Sequence, residues 1–186
     1  DLNADKLYVS VSPFAQNTAS WGLYYNPPAN IRKSTNGGTS FGNAATGLPD
    51  RIFTDFAVSK TNDDSVFVTL GGFGVSHVYV SGNGGTSWTP RSNGLPDVPF
   101  NCILIDSANA NIIYAGCDFG IYVSPDRGAN WYDFNNGLWD ATYVIDLLFA
   151  PNNKLRAVTH GKGVFETTRW DGLVILPVNF FSFTGI

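Results

Sequence analysis

Three aspartates carry the clearest capacity for chemistry: Asp97, Asp118 and Asp140, each beside a glycine-containing stretch that reads as a loop. Hydrolysis of a glycosidic bond needs two carboxyl groups about 5 to 9.5 Å apart, one protonated and one ionised. Asp97 and Asp140 share a repeated Gly-Leu-x-Asp slot with Asp50, however, which assigns them a turn-forming duty first. His160 has no Ser or Cys nucleophile beside it, so it reads as a rim residue rather than a base. Aromatic rings form the second group. Trp21, Tyr24 and Tyr25 lie with Phe14 in one long connection, SPFAQNTASWGLYYNPPAN; Phe73 and His77 lie in GGFGVSH, Asp118 and Phe119 in CDFG, and His160 in HGKG. Rings of this kind stack on the C–H faces of sugars, and loops on a rigid scaffold commonly carry binding function. These residues make up a candidate ligand surface; the competing use of the rings is to cover a neighbouring sheet.

A repeat positions these loops. STNGGTSF begins at Ser34, SGNGGTSW at Ser81 and SPDRGANW at Ser124, in steps of 47 (34 to 81) and 43 (81 to 124) residues. Each copy has Ser first, Asn or Asp third (Asn36, Asn83, Asp126), Gly fifth (Gly38, Gly85, Gly128) and an aromatic eighth (Phe41, Trp88, Trp131). The side chain of Asn83 can accept backbone N–H groups two residues on, and Gly84 and Gly85 can take φ > 0, so the box reads as a self-satisfied turn. Its aromatic is then placed to pack between sheets. A role for the box in binding calcium or sugar is disfavoured, since two copies carry Asn in place of Asp.

Between boxes, Phe53 to Leu70, Phe100 to Cys117 and Tyr143 to His160 align without gaps, which puts His160 with Leu70 and Cys117 at a strand end. Each segment holds two β-rich runs joined by a polar turn; a third run such as HVYVS enters the box and a short fourth leaves it. Four short antiparallel strands per roughly 40 to 45 residues form the unit of a β-propeller blade. The expected class is all-β: part of a propeller, about four blades over residues 1–172. The first blade is incomplete, because Lys6 to Val11 falls on a second strand. At Thr167, 43 residues after Ser124, a fourth box is due but has lost its spacing, and residues 173–186 read as a last strand or a connector. A larger ring completed by other blades or chains is favoured over a small ring closed by that strand.

These boxes resemble the Asp-box, or BNR, repeat of sialidases, sortilin-type receptors and oligoxyloglucan-active glycosidases. NIIYAGCDFGIYVSPDRGANW and LRAVTHGKGVFE are similar to the closing blades of secreted bacterial propellers called sortilin-like or photosystem-assembly-factor-like. The segment LPVNFFSF resembles the connector before the C-terminal sorting domain of type IX secreted proteins in Bacteroidetes. The resemblance implies a propeller that is secreted or displayed on the cell surface. It leaves activity open, because hydrolases and pure binding proteins share the box. A sialidase would also need three clustered arginines, whereas Arg32, Arg51, Arg91, Arg127, Arg156 and Arg169 occupy unrelated repeat positions.

Composition narrows the classes. Twenty Gly and ten Pro with 14% charged residues suit many short strands and tight turns. The net charge of −4 and scattered Lys and Arg offer no basic stripe for nucleic acid, and no apolar run is long enough to span a bilayer. Neither a metal site nor a cofactor is expected, since no Cys/His cluster has ligand spacing. Cys102 and Cys117 fall on adjacent strands, as a bridge or, the favoured reading, as two buried thiols. The leading expectation is a non-catalytic propeller segment that binds glycan or protein; the alternative is a fragment of a polysaccharide-active, xyloglucanase-like glycoside hydrolase.

Overall fold

The structure, a computed structural model, describes residues 4–11, 16–17, 24–25, 30–139 and 141–172, with the backbone alone of 16–17 and 24–25. Every regular element among them is a strand. β1 (Leu7–Val11) leads through a hairpin of β2 (Gln16–Asn17) and β3 (Tyr24–Tyr25) to β4 (Asn30–Ser34) and β5 (Gly42–Asn43). Blade 2 is β6 (Phe53–Ser59), β7 (Asn62–Leu70), β8 (Val78–Ser81) and β9 (Thr89–Pro90). Blade 3 is β10 (Phe100–Ile105), β11 (Ile113–Cys117), β12 (Gly120–Ser124) and β13 (Tyr132–Asp133). Blade 4 is β14 (Val144–Ala150), β15 (Lys154–Thr159) and β16 (Gly163–Thr168). Each is an antiparallel meander in chain order, with β1-β4-β5 as the three-stranded blade 1. The chain is part of a β-propeller, with the first blade incomplete.

The turn before each outermost strand is organised by its serine. Ser81 Oγ accepts the Asn83 and Gly85 amides at 3.2 and 2.8 Å and donates to Asn83 Oδ1 at 2.9 Å. Asn83 Oδ1 in turn accepts the Ser87 amide, four residues on, at 3.0 Å. The amide acceptor close at hand is therefore the hydroxyl, not the Asn side chain that the sequence suggested; the carboxamide is one bond longer and spans the whole turn. Ser34 with Asn36 and Ser124 with Asp126 repeat the pattern. Gly84 and Gly85 both have positive φ, and a Cβ on Gly85 would lie 2.9 Å from that of Ala44, so conformation and close approach both require glycine. At Asp126, burial pushes the carboxyl up, but the Ser124 and Asn130 hydrogen bonds outweigh it and hold it below its ordinary value.

The second and third turns deliver their aromatics to the preceding blade. Trp88 joins Ile31, Ala44, Val66 and Val68 in one buried cluster and donates its indole N–H to the Ala44 carbonyl at 2.8 Å. Trp131 joins Phe67, Phe100 and Ile113, and donates to the Arg91 carbonyl at 2.8 Å. Phe41 stands partly exposed, because no described sheet precedes blade 1. Closer to the start of the meander the seams are tied in the other direction. β6 and β10 each open with a bulge, and the bulged residues reach forward: Thr54 Oγ1 donates to the Phe100 carbonyl at 2.6 Å and Asn101 Nδ2 to the Val144 carbonyl at 3.0 Å. Asp55 Oδ2 accepts the Ile103 amide across the same seam at 2.9 Å.

Two sequence readings are refined by the ladder. Thr159, not His160, takes the place of Leu70 and Cys117: Val144 pairs with Thr159 as Phe53 pairs with Leu70 and Phe100 with Cys117. The β14–β15 hairpin is shorter than its counterparts, which moves His160 off the strand into the following turn. Cys102 and Cys117 are free, buried thiols; the partner of Cys102 across the ladder is Gly116, and Cys117 lies opposite Phe100.

Candidate functional site

Among the described residues, the candidate ligand residues Phe73, His77, Asp118, Phe119 and His160 lie at the end of the sheets opposite the boxes, where the connections run from second to third strand. In blade 2 the loop between β7 and β8 is braced from below. Gly74 N–H donates to Asp97 Oδ1 at 2.7 Å, and His77 Nε2 meets the same oxygen at 2.9 Å. The His77 and Val78 amides both donate to Ser92 Oγ. The His77 ring is buried and stacks on Phe100 with centroids 5.7 Å apart, so it supports the loop from within instead of facing a ligand. Asp97 is the brace. The Gly74 amide first, then His77, hold its carboxyl below the ordinary range, which suits an ionised acceptor and not a proton donor. Held this way, the loop projects Phe73, 63% exposed, at its tip.

Blade 3 does the same with a shorter turn. Asn101 Nδ2 donates to Asp118 Oδ1 at 3.0 Å while also reaching the Val144 carbonyl, so the half-buried Asp118 is tied into the seam with blade 4. Phe119 beside it is 54% exposed. In blade 4, His160 is exposed, its amide donates to the Tyr143 carbonyl at 2.9 Å, and its ring meets Tyr143 edge-on at 5.8 Å. Trp139 rests edge-on against Phe165 at 6.2 Å and is 68% exposed, the most open large apolar side chain among the described residues.

Sequence reasoning passed over Trp139 because it occupies the third place of Gly-Leu-x-Asp, where Pro49 and Pro96 mark a turn. The exchange of Pro for an indole at that place was the available signal. Trp21 and Asp140 lie outside the described residues; Tyr24 and Tyr25 form β3, whose backbone pairs with β2. Among the described residues the one carboxyl raised above its ordinary range is Asp55, by burial, and both its oxygens accept backbone amides, from Phe56 and Ile103. It is a seam residue. Asp97 and Asp118 are bound into separate loops with no hydrogen-bonding group in common. Of the arginines, Arg127 bonds Ser65, Arg156 bonds Glu166 and Arg169 bonds Asp106. No group of three or more metal-ligating side chains converges among the described residues.

No family model matches this chain, and no curated protein matches it. Among solved structures, it is similar to an ancestral GH74 enzyme, with 22% identity and a TM-score of 0.63 over 84% of this chain and 20% of that one. It is similar also to the GH74 xyloglucanase of Xanthomonas campestris, with 16% identity and a TM-score of 0.68 over 89% of this chain and 28% of the enzyme. The GH74 enzyme of Niastella koreensis gives 20% identity and a TM-score of 0.65 over 90% of this chain and 27% of that one. At these identities the likeness establishes the fold. The chain spans between a fifth and three tenths of the length of these enzymes.

Proposed function

We propose that this chain is a glycan-binding segment of a larger, secreted or surface-displayed β-propeller, with no bond-breaking chemistry of its own. The observation that carries this reading is the row of open rings, Phe73, Phe119 and Trp139, at the same end of three successive blades, the first two on loops braced by side-chain hydrogen bonds and the third resting edge-on against Phe165. A preformed platform of this kind binds without first ordering its loops, which keeps the entropic cost of association low. The dispersed carboxylates argue against catalysis: Asp97 is committed to Gly74 and His77, Asp118 to Asn101. Trp21, Tyr24 and Tyr25 would extend the platform from blade 1, and residues 173–186 would serve as a last strand or a connector to a sorting domain. The xyloglucanase among its structural neighbours directs the choice of ligand toward xyloglucan and related polysaccharides.

Affinity electrophoresis in xyloglucan and related polymers, run beside a reducing-sugar assay, tests the proposal. Retardation that is lost in Trp139→Ala and Phe119→Ala, with no sugar released, is the expected result. The same structural likeness favours a second reading, a piece of a polysaccharide hydrolase. Sugar release abolished by Asp118→Asn would establish that reading in place of the first.

A further inference from the structure

Seams 1–2 and 2–3 are each completed by an indole that donates to a carbonyl of the earlier blade; at the seam between blades 3 and 4, Trp170 packs against the core with its backbone amide on the Tyr114 hydroxyl, and a recess remains beside it. Ile121, Phe134, Leu138, Leu155, Ala157 and Phe165 line that recess. Each stands at the register position of a residue around Trp88. The Phe134 amide bonds the Ile121 carbonyl as the Ala44 amide bonds that of Ile31. Leu155 and Ala157 pair with Thr167 and Phe165 as Val66 and Val68 pair with Ser81 and Tyr79. Leu138 fills the Gly-Leu-x-Asp place of Leu48. The carbonyl of Phe134 therefore occupies the position of the Ala44 and Arg91 carbonyls that accept an indole N–H.

A second observation coincides with the first. In blades 2 and 3, the two residues after the tryptophan form the outer strand, Thr89–Pro90 against Val80 and Tyr79, and Tyr132–Asp133 against Val123 and Tyr122. Among the described residues β16 is the outermost strand of blade 4, and Phe165 and Glu166 hold the corresponding places on its open edge. One tripeptide, tryptophan followed by two extended residues, fills both features at once in each of the other blades.

We propose that blade 4 binds a partner segment of that chemistry: an extended stretch that adds to the β16 edge at Phe165 and Glu166, with a tryptophan ring in the recess donating to the Phe134 carbonyl. Strand addition supplies backbone hydrogen bonds and the ring supplies selectivity. Residues 173–186 contain Phe but no Trp, so they carry no ring N–H to offer that carbonyl.

The chain's own strands provide the probes. Fluorescently labelled GGTSWTPRS (84–92) and RGANWYDFN (127–135) are titrated against the full 186-residue protein by anisotropy. Saturable binding is expected, weakened roughly tenfold or more when the peptide Trp is replaced by Ala, as for a buried aromatic anchor. A naphthyl side chain, which keeps the shape but lacks the N–H, should restore only part of it. Ala157→Phe, which fills the recess, should abolish binding. Should that variant not fold, amide shift mapping on the wild-type protein locates the bound peptide instead, with changes expected at Leu138, Ala157, Phe165 and Glu166. Absence of saturable binding, equal binding of the Ala peptide, or shifts confined to other residues would overturn the proposal. So would binding seen only after removal of residues 173–186, which would give the recess to the chain's own C-terminal segment.

Discussion

Blades 1 and 2 place apolar residues at the same ladder positions with opposite results. In β7, Val66, Val68 and Leu70 are fully buried, whereas their counterparts in β1, Leu7, Val9 and Val11, are 40%, 44% and 43% exposed. The other end of the chain repeats the contrast, with Ile121 buried in blade 3 and Val164, at the same place in blade 4, open. Strand pattern therefore fixes which face is apolar, and only a neighbouring blade turns that face into core. The exposed faces of blades 1 and 4 have the composition of inner seams. Asp146 extends the parallel: it accepts the Leu147 amide with Oδ1 as Asp55 accepts that of Phe56, at the ladder position from which Asp55 also grips the next blade.

The sharpest way to break this comparison is a pair of truncations at equivalent positions. Leu70→Ala should cost about 2–5 kcal/mol in urea unfolding, and Val11→Ala less than about 0.5 kcal/mol. A large loss at Val11 would mean that a blade or partner covers β1 under the conditions of measurement. Next in size is Trp131→Phe, which leaves the Arg91 carbonyl without its indole donor and should cost roughly 1–3 kcal/mol, against little change for Phe41→Leu. Thr54→Val, which removes the forward bond to the Phe100 carbonyl, should cost about 0.5–1.5 kcal/mol by the same measurement.

Two smaller effects follow from ionisation. Burial pushes the Cys117 thiol up to about 11 and raises Cys102 as well, so neither should react with a disulfide reagent at pH 8 in the folded protein, and both should react in urea. A raised thiol contributes stability that is complete below its ordinary value of about 8.5 and is lost as pH rises through the folded value; alkaline unfolding should therefore begin in that window. The smallest effect lies at the seam of blades 1 and 2, where Lys6 bridges Asp63 and Asp64 at 2.6 and 2.9 Å. Lys6 is the leading cause that holds the Asp64 carboxyl below its ordinary value. The contribution is present above that ordinary value and is lost as pH falls through the lower, folded one. Lys6→Met should flatten the acid limb of the stability curve slightly, since ion pairs near the surface contribute little.

The repeat was legible because its turns are chemically demanding: Ser81, Asn83, Gly85 and Trp88 each satisfy a separate geometric requirement, and few substitutes exist. The incomplete first blade was legible for the same reason, as a missing place in a known order. The cross-seam ties were not. Thr54, Asn101 and Asp55 act through bulges, which reverse the side a residue faces and leave no mark in an alternating pattern. The one-residue displacement of His160 came from a shortened hairpin, where polar turn residues align equally well in either register. At the loop end, ring types showed which residues could bind, but exposure separated Phe73 from His77, three dimensions deciding what composition left equal.

The indole bonds that close the seams join residues 44 and 40 positions apart, always from a later blade back to an earlier one. During synthesis, the carbonyls of Ala44 and Arg91 thus leave the ribosome long before their donors do. A growing chain of this kind carries one unfinished edge at every moment, sealed only when the next repeat is translated. Codon-scale pauses within a repeat would prolong that interval, and a chain halted after any blade would remain sticky at its newest end.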